Sequence, residues 1–260
     1  PASEDEDLDL YLTYLQSLQS PFIGLELNTP QNPYSNINSS LKAGSEDDGA
    51  GDNVYYGTGV FGAGNTDNHI ENAAFGFNAL YALTTGDYNV AFGYQSLTAN
   101  TTGAYNSAFG RRSLHSNTTG EQNTAIGTNT LLSNTTGNYN TAIGHQALYN
   151  NTTGSFNSAL TRVSMFNNTT GSYNTAAGNN ALHANTTGDN NTAFGHNALL
   201  DATSSNNLAL GYEALKTNTT AANNAAIGYQ AMYANTTGAR NFASGYQAMY
   251  SNTTANNNSA

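Results

Sequence analysis

The residues best placed to do chemistry are asparagines. Asn-Thr-Thr triplets begin at Asn100, Asn117, Asn134, Asn151, Asn168, Asn185, Asn218, Asn235 and Asn252, and Asn38, Asn150, Asn167, Asn190 and Asn257 also stand two residues before Ser or Thr. Such an Asn is an acceptor for an N-linked glycan in a secreted chain. Followed by Gly, the same triplet is also turn chemistry: Asn tolerates a left-handed backbone, and Gly supplies positive φ without steric cost. Both readings are open, a row of glycans along one edge or a repeated turn. A minor third reading takes the Thr pairs as the regular flat array of an ice-binding surface, although the array breaks at Asp201 to Ser205.

Other constellations point to no reaction. Gly57-Thr58-Gly59-Val60-Phe61-Gly62 has dinucleotide-fingerprint spacing, but Gly64, Asn65, Thr66 and Asp67 follow where a helix should open. Cysteine is absent, which removes disulfides and thiolate metal sites. No Ser-His-Asp or paired-carboxylate arrangement recurs. Catalytic residues, metal ligands and cofactors are therefore expected to be none.

The element that positions the asparagines is a 17-residue repeat. With the Asn of Asn-Thr-Thr as position 1, degenerate units run back to Leu83, Thr66 and a weaker one near Asp47, giving about a dozen coils. Position 7 is Asn at Asn72, Asn89, Asn106, Asn123, Asn140, Asn157, Asn174, Asn191, Asn207, Asn224 and Asn241, a column whose amides can pass hydrogen bonds from coil to coil. Position 9 is Ala from Ala74 to Ala243, position 10 is mostly Phe, Ile or Leu, and position 15 is Leu or Met; these three are expected to be core columns.

A unit this short, with Gly at positions 4 and 11, cannot hold two helices, whereas two short strands and two turns fit. The fold class is all-β, a parallel β-solenoid whose dozen coils, stacked at about 4.8 Å, would make a rod roughly 55 to 60 Å long. No two adjacent coils from Thr66 onward carry like charges in one column, as stacking requires. His115 and His183 share position 16 but lie about 19 Å apart on that spacing, and His145 and His196 share position 12 at about 14 Å, too far to share a zinc ion. Positions 9 and 10 must face opposite sides of a strand, so one face belongs to the coil's own interior and the other is suited to a second chain. Aromatic columns at position 6 (Tyr88, Tyr105, Tyr139, Phe156, Tyr173) and position 16 (Tyr81, Tyr149, Phe166, Tyr233, Tyr250) add to that case.

The units Tyr105-Asn106-Ser107-Ala108-Phe109-Gly110 and Tyr139-Asn140-Thr141-Ala142-Ile143-Gly144 resemble the head repeats of trimeric autotransporter adhesins and similar repeats of phage tail-fibre-like proteins. The resemblance covers residues 53 to 260 and implies a left-handed parallel β-roll that trimerises and binds surface ligands. The present unit is longer than the family's usual head repeat.

Charge divides the chain. Of its net charge of −11, ten acids and one Lys fall in residues 1 to 52, leaving seven acids and five bases for 53 to 260. We read 1–52 as an acidic capping or assembly segment with linker, and 53–260 as the solenoid domain. No basic stripe exists to hold nucleic acid, and no stretch approaches the ~20 apolar residues that span a bilayer. Within the first segment Leu8, Leu10, Leu12, Leu15, Phe22, Ile23, Leu25 and Leu27 could dock on a neighbouring subunit. A chain ending at Ala260 midway through a coil would favour end-to-end pairing. The expected function is structural: a subunit of an extracellular or cell-surface fibre whose partners are copies of itself, as filament or trimer, with covalent glycans or a cell-surface ligand. The alternative is a trimeric adhesin or receptor-binding fibre head.

Overall fold

The computed structural model describes residues 53–62 and 70–260, with the backbone of Lys42 and Ala43. The chain divides into two units, 1–40 and 41–260, and every described strand lies in the second. In order these are β1 (Lys42–Ala43), β2 (Val54–Tyr56), β3 (Ala73–Phe75), β4 (Val90–Phe92), β5 (Ser107–Phe109), β6 (Thr124–Ile126), β7 (Thr141–Ile143), β8 (Ser158–Leu160), β9 (Thr175–Ala177), β10 (Thr192–Phe194), β11 (Leu208–Leu210), β12 (Ala225–Ile227) and β13 (Phe242–Ser244). They form one sheet in chain order, β2 to β13 all parallel. The fold is thus an all-β parallel solenoid. β1 lies inside the segment read as linker and pairs antiparallel with β2, Lys42 opposite Tyr55, which covers the edge of the first coil.

Register follows the repeat: Thr124 pairs with Thr141 and Thr141 with Ser158, each identical position stacking on the next. The two irregular units keep the pairing because their length changes fall outside the strands. Val54 pairs with Ala73 across a longer first unit, and Thr192 pairs with Leu208 across the shortened one.

Side chains alternate along each strand. In one coil Thr141 is half-buried, Ala142 buried and Ile143 exposed, the period of two that a strand imposes, and the left-handed Tyr139 before it (φ 57°) is exposed. The core joins the Ala column of position 9 to the Leu or Met column of position 15, with small residues such as Ala147 and Ala181 at position 14. Position 10 corrects the sequence reading: Phe109, Ile126 and Ile143 are 40, 41 and 41% exposed, not core. Only one of two consecutive strand residues can face inward, and with a Leu already filling each coil the smaller side chain fits there.

The second strand expected in each unit is also missing, for a backbone reason. Positions 13 and 15 are left-handed in every coil from Asn78 onward, as at Gln146 (φ 58°) and Leu148 (φ 50°), so the chain winds through turns. A left-handed L-residue costs roughly 1–2 kcal/mol. Offsetting this, Leu148 is fully buried, and its N–H donates to the Ser164 carbonyl of the following coil at 3.1 Å while that of Gln146 donates to Thr128 of the preceding one at 3.0 Å.

Position 11 is Gly because a β-carbon there strikes the backbone of the next coil; at Gly127 (φ 133°) it would lie 2.8 Å from the Gly144 carbonyl oxygen. Thr161 breaks the column with φ 117°, where a β-branched residue is strained. Beside it the ladder bond from Gly178 N–H to Leu160 stretches to 3.4 Å, and the Thr161 hydroxyl accepts from the same N–H at 3.2 Å. Such strain costs on the order of 1–3 kcal/mol. Thr161→Gly is therefore expected to raise stability by about 1–2 kcal/mol, and Gly127→Thr to lower it by at least as much, both read from chemical denaturation midpoints.

Candidate functional site

The asparagines expected to form a ladder are interior. At position 7 each side chain is buried and faces along the axis. The Asn123 carbonyl oxygen accepts from the backbone N–H of Asn140 at 3.0 Å and from its side-chain amide at 3.2 Å. The Asn140 amide also donates to the Gly154 carbonyl of the next coil at 2.9 Å, and Asn157 repeats the pattern on Asn140. The column runs from Asn72 to Asn241 and survives the short unit, where the Asn191 oxygen accepts from the Asn207 N–H at 2.9 Å. A strand's missing backbone bond at this position is thus made by a side chain.

A second ladder occupies position 1. Asn100, Asn117, Asn134, Asn151, Asn168, Asn185, Asn218 and Asn235 are fully buried. The Asn134 amide donates to the Asn117 oxygen at 2.8 Å and to Gly137 of its own turn at 3.0 Å. Ala202 interrupts the column, which resumes as Asn235 donates to Asn218 and Asn252 to Asn235. Burial weighs against the glycan reading for these eight sequons: the nitrogen that would carry the sugar lies inside the coil, and at all but Asn100 and Asn218 it donates both to the preceding Asn of the column and to the carbonyl of its own turn. Asn252 is half-buried in the same arrangement, whereas Asn190 and Asn257, at position 6, are exposed. The recurrence of Asn at position 1, as strict as at position 7 from Asn100 to Asn185, was the available signal for a second ladder.

The Thr pairs divide their labour. The position 2 hydroxyl donates to the equivalent carbonyl of the next coil, Thr118 to Thr135 and Thr135 to Thr152 at 3.0 and 3.1 Å, while position 3 is exposed. The position 2 rank is thus tied to its neighbours along the axis.

Aromatic residues form outer ladders. Tyr139, Phe156 and Tyr173 stack at 4.7 and 4.9 Å with planes 8 and 2° apart; Tyr212, Tyr229 and Tyr246 do so at 5.2 and 5.3 Å, and Tyr149, Phe166 and His183 at 5.0 and 5.4 Å. Rings stacked this way cover one another's faces and present edges to solvent. A sugar that packs on a ring face finds such a face only at the end of a stack.

Titratable groups are scattered. Gly57 lies in a bend at position 11, and the residues after it in that motif, Thr58 to Phe61, form a turn. Among the described residues no three His, Asp or Glu are grouped as metal ligands, and no helix is long and apolar enough to cross a membrane. Burial holds His115 and His183 below the usual histidine range, helped at His115 by Arg112 and opposed at His183 by Asp201. At position 13 of the short unit's coil, burial pushes the Glu213 carboxyl up, but hydrogen bonds from Lys216 (2.7 Å), Gln230 (2.9 Å) and Asn197 (3.5 Å) outweigh it and hold it below the usual range. The assembly residues Leu8, Leu10, Leu12, Leu15, Phe22, Ile23, Leu25 and Leu27 lie outside the described residues.

Asn140→Ala strips the Asn157 N–H of its partner, while the Gly154 carbonyl keeps the Asn151 amide, and at about 1–3 kcal/mol per orphaned group should destabilise by roughly 1–3 kcal/mol without abolishing the β signal in circular dichroism. Acid should loosen the fold in two windows. Groups with depressed pKa contribute above their unfolded values and lose that contribution as pH falls, for the two histidines below about 6.5 and for Glu213 below about 4.3. Thermal midpoints should show the first decline reduced in His115→Gln/His183→Gln and the second in Glu213→Gln. No family model, curated protein or solved structure matches the chain; its geometry is that of a β-solenoid repeat protein of the broad β-helix class.

Proposed function

We propose that the chain is a non-catalytic structural subunit of an extracellular or cell-surface fibre. The observation that carries this reading is the pair of buried amide ladders: the interior of each coil is completed by the coils on either side, so the product of the fold is a stiff, uniform length of rod. The resemblance of the Tyr-Asn-Thr-Ala-Ile-Gly units to surface-adhesin and tail-fibre repeats supports a place outside the cell. In this reading the apolar residues between Leu8 and Leu27 link one subunit to the next.

The exposed edges of the aromatic ladders favour a second reading, a receptor-binding fibre head. Light scattering and negative-stain microscopy separate the two. The full chain is expected to give polymers of heterogeneous length, which a variant lacking residues 1–27 does not form. A discrete trimer would favour the head instead, and filaments unchanged by the deletion would overturn the proposed linkage.

A further inference from the structure

The strand turns positions 8 and 10 outward, the mostly exposed positions 6 and 12 flank them in the turns on either side, and the position 10 column is apolar along most of the rod. Tyr56, Phe92, Phe109, Ile126, Ile143, Leu160 and Phe194 are all 36–44% exposed at position 10. Beside it, position 8 holds Val, Ala, Ser, Thr, Leu or Phe, and neither column contains a charge from Val54 to Ser244. Eleven coils at about 4.8 Å by a width of roughly 15–20 Å give ~800–1,000 Å² of face, against the ~800 Å² each partner contributes to a stable interface. Down the middle of this face runs the line of exposed apolar side chains at position 10, beside Ser or Thr at position 8 from Ser107 to Thr192, and an exposed apolar stripe of this length marks an interaction surface.

Its two margins differ in charge. Position 12 carries Arg111, His145, Arg162 and His196; the position 5 column, beyond position 6, carries Asp87, Glu121 and Asp189. Arg240, at position 6, is the exception on the acidic side. Two copies laid face to face with axes parallel are related by a two-fold axis along the rod, which brings the position 12 margin of one over the acidic margin of the other at equal height. Arg111 then falls between the levels of Asp87 and Glu121, about 4.8 Å along the axis from each, and His196 meets the level of Asp189. Antiparallel copies would set the basic margins against each other.

We infer that this face is where a second copy of the chain docks, in parallel and in register, to make a two-fold pair. The inference rests on the fibre reading and specifies its lateral contact. The absence of cysteine makes the test direct. Full-length Tyr105→Cys mixed with full-length Arg111→Cys should form an intermolecular disulfide under mild oxidation, and the smallest stable species by light scattering should be a dimer. Phe109→Asp/Ile143→Asp, two coils apart so that the new charges do not stack, should weaken pairing roughly 100-fold or more with circular dichroism unchanged, since both side chains lie outside the core. A monomer or trimer as the smallest wild-type species, or ready self-linking of Arg162→Cys near the middle of the rod, would overturn the parallel pair. Dimers that never elongate would leave the pair standing and defeat the fibre reading. Filaments that persist in the double-Asp variant with undiminished lateral contact would do the reverse.

Discussion

Everything in this molecule depends on a side-chain amide reaching one coil further along the axis. A coil of 17 residues encloses little apolar volume: one Leu or Met and one or two Ala per turn form the oily part of the interior. Burying one such Leu is worth about 1.5–3 kcal/mol, against roughly 1–2 kcal/mol of backbone entropy per ordered residue. Two Asn residues stand in the same interior, and polar groups there are costly unless bonded. Their partners are supplied by adjacent coils, Asn123 serving Asn140 and Asn140 serving Asn157. Stability is thus a property of the stack, as expected of quasi-one-dimensional repeats.

The same dependence explains the recurrent small residues. At position 4 a β-carbon on Gly137 would overlap the Gly154 carbonyl oxygen and crowd the Asn134 side chain. Close axial stacking also lets the left-handed Leu positions persist: the surrounding coils leave Leu148 no other place for its side chain or its N–H. Thr161 shows the tolerance of the system. A single unsuited residue is held in a strained backbone by well-formed coils on both sides.

Much of this was legible in sequence, since identical residues at a fixed period define columns and the columns define a parallel stack. Ala142 and Leu148 were identifiable as interior from constancy and size. Ile143 was not, because periodicity says that neighbours in a strand face opposite ways without saying which face is inside; the narrowness of the coil decides it. Asn134 was obscured by its own triplet, which serves equally as a turn and as a glycan acceptor until its amide is seen to be enclosed. The left-handed backbone of Leu148 had no local signal at all, since that conformation runs against the residue's intrinsic preference and is imposed by tertiary contacts.

In the position 1 column the amides share one orientation: the Asn117 oxygen accepts from Asn134 and the Asn134 oxygen from Asn151, so the oxygens point toward the higher-numbered coil and the nitrogens toward the lower. Dipoles aligned head to tail in a dry interior add along the axis, as peptide dipoles do along a helix. The rod is therefore electrically directional, a buried electret whose N-terminal side is relatively positive and whose C-terminal side is relatively negative, so the two directions along it are chemically inequivalent even where the sequence repeats.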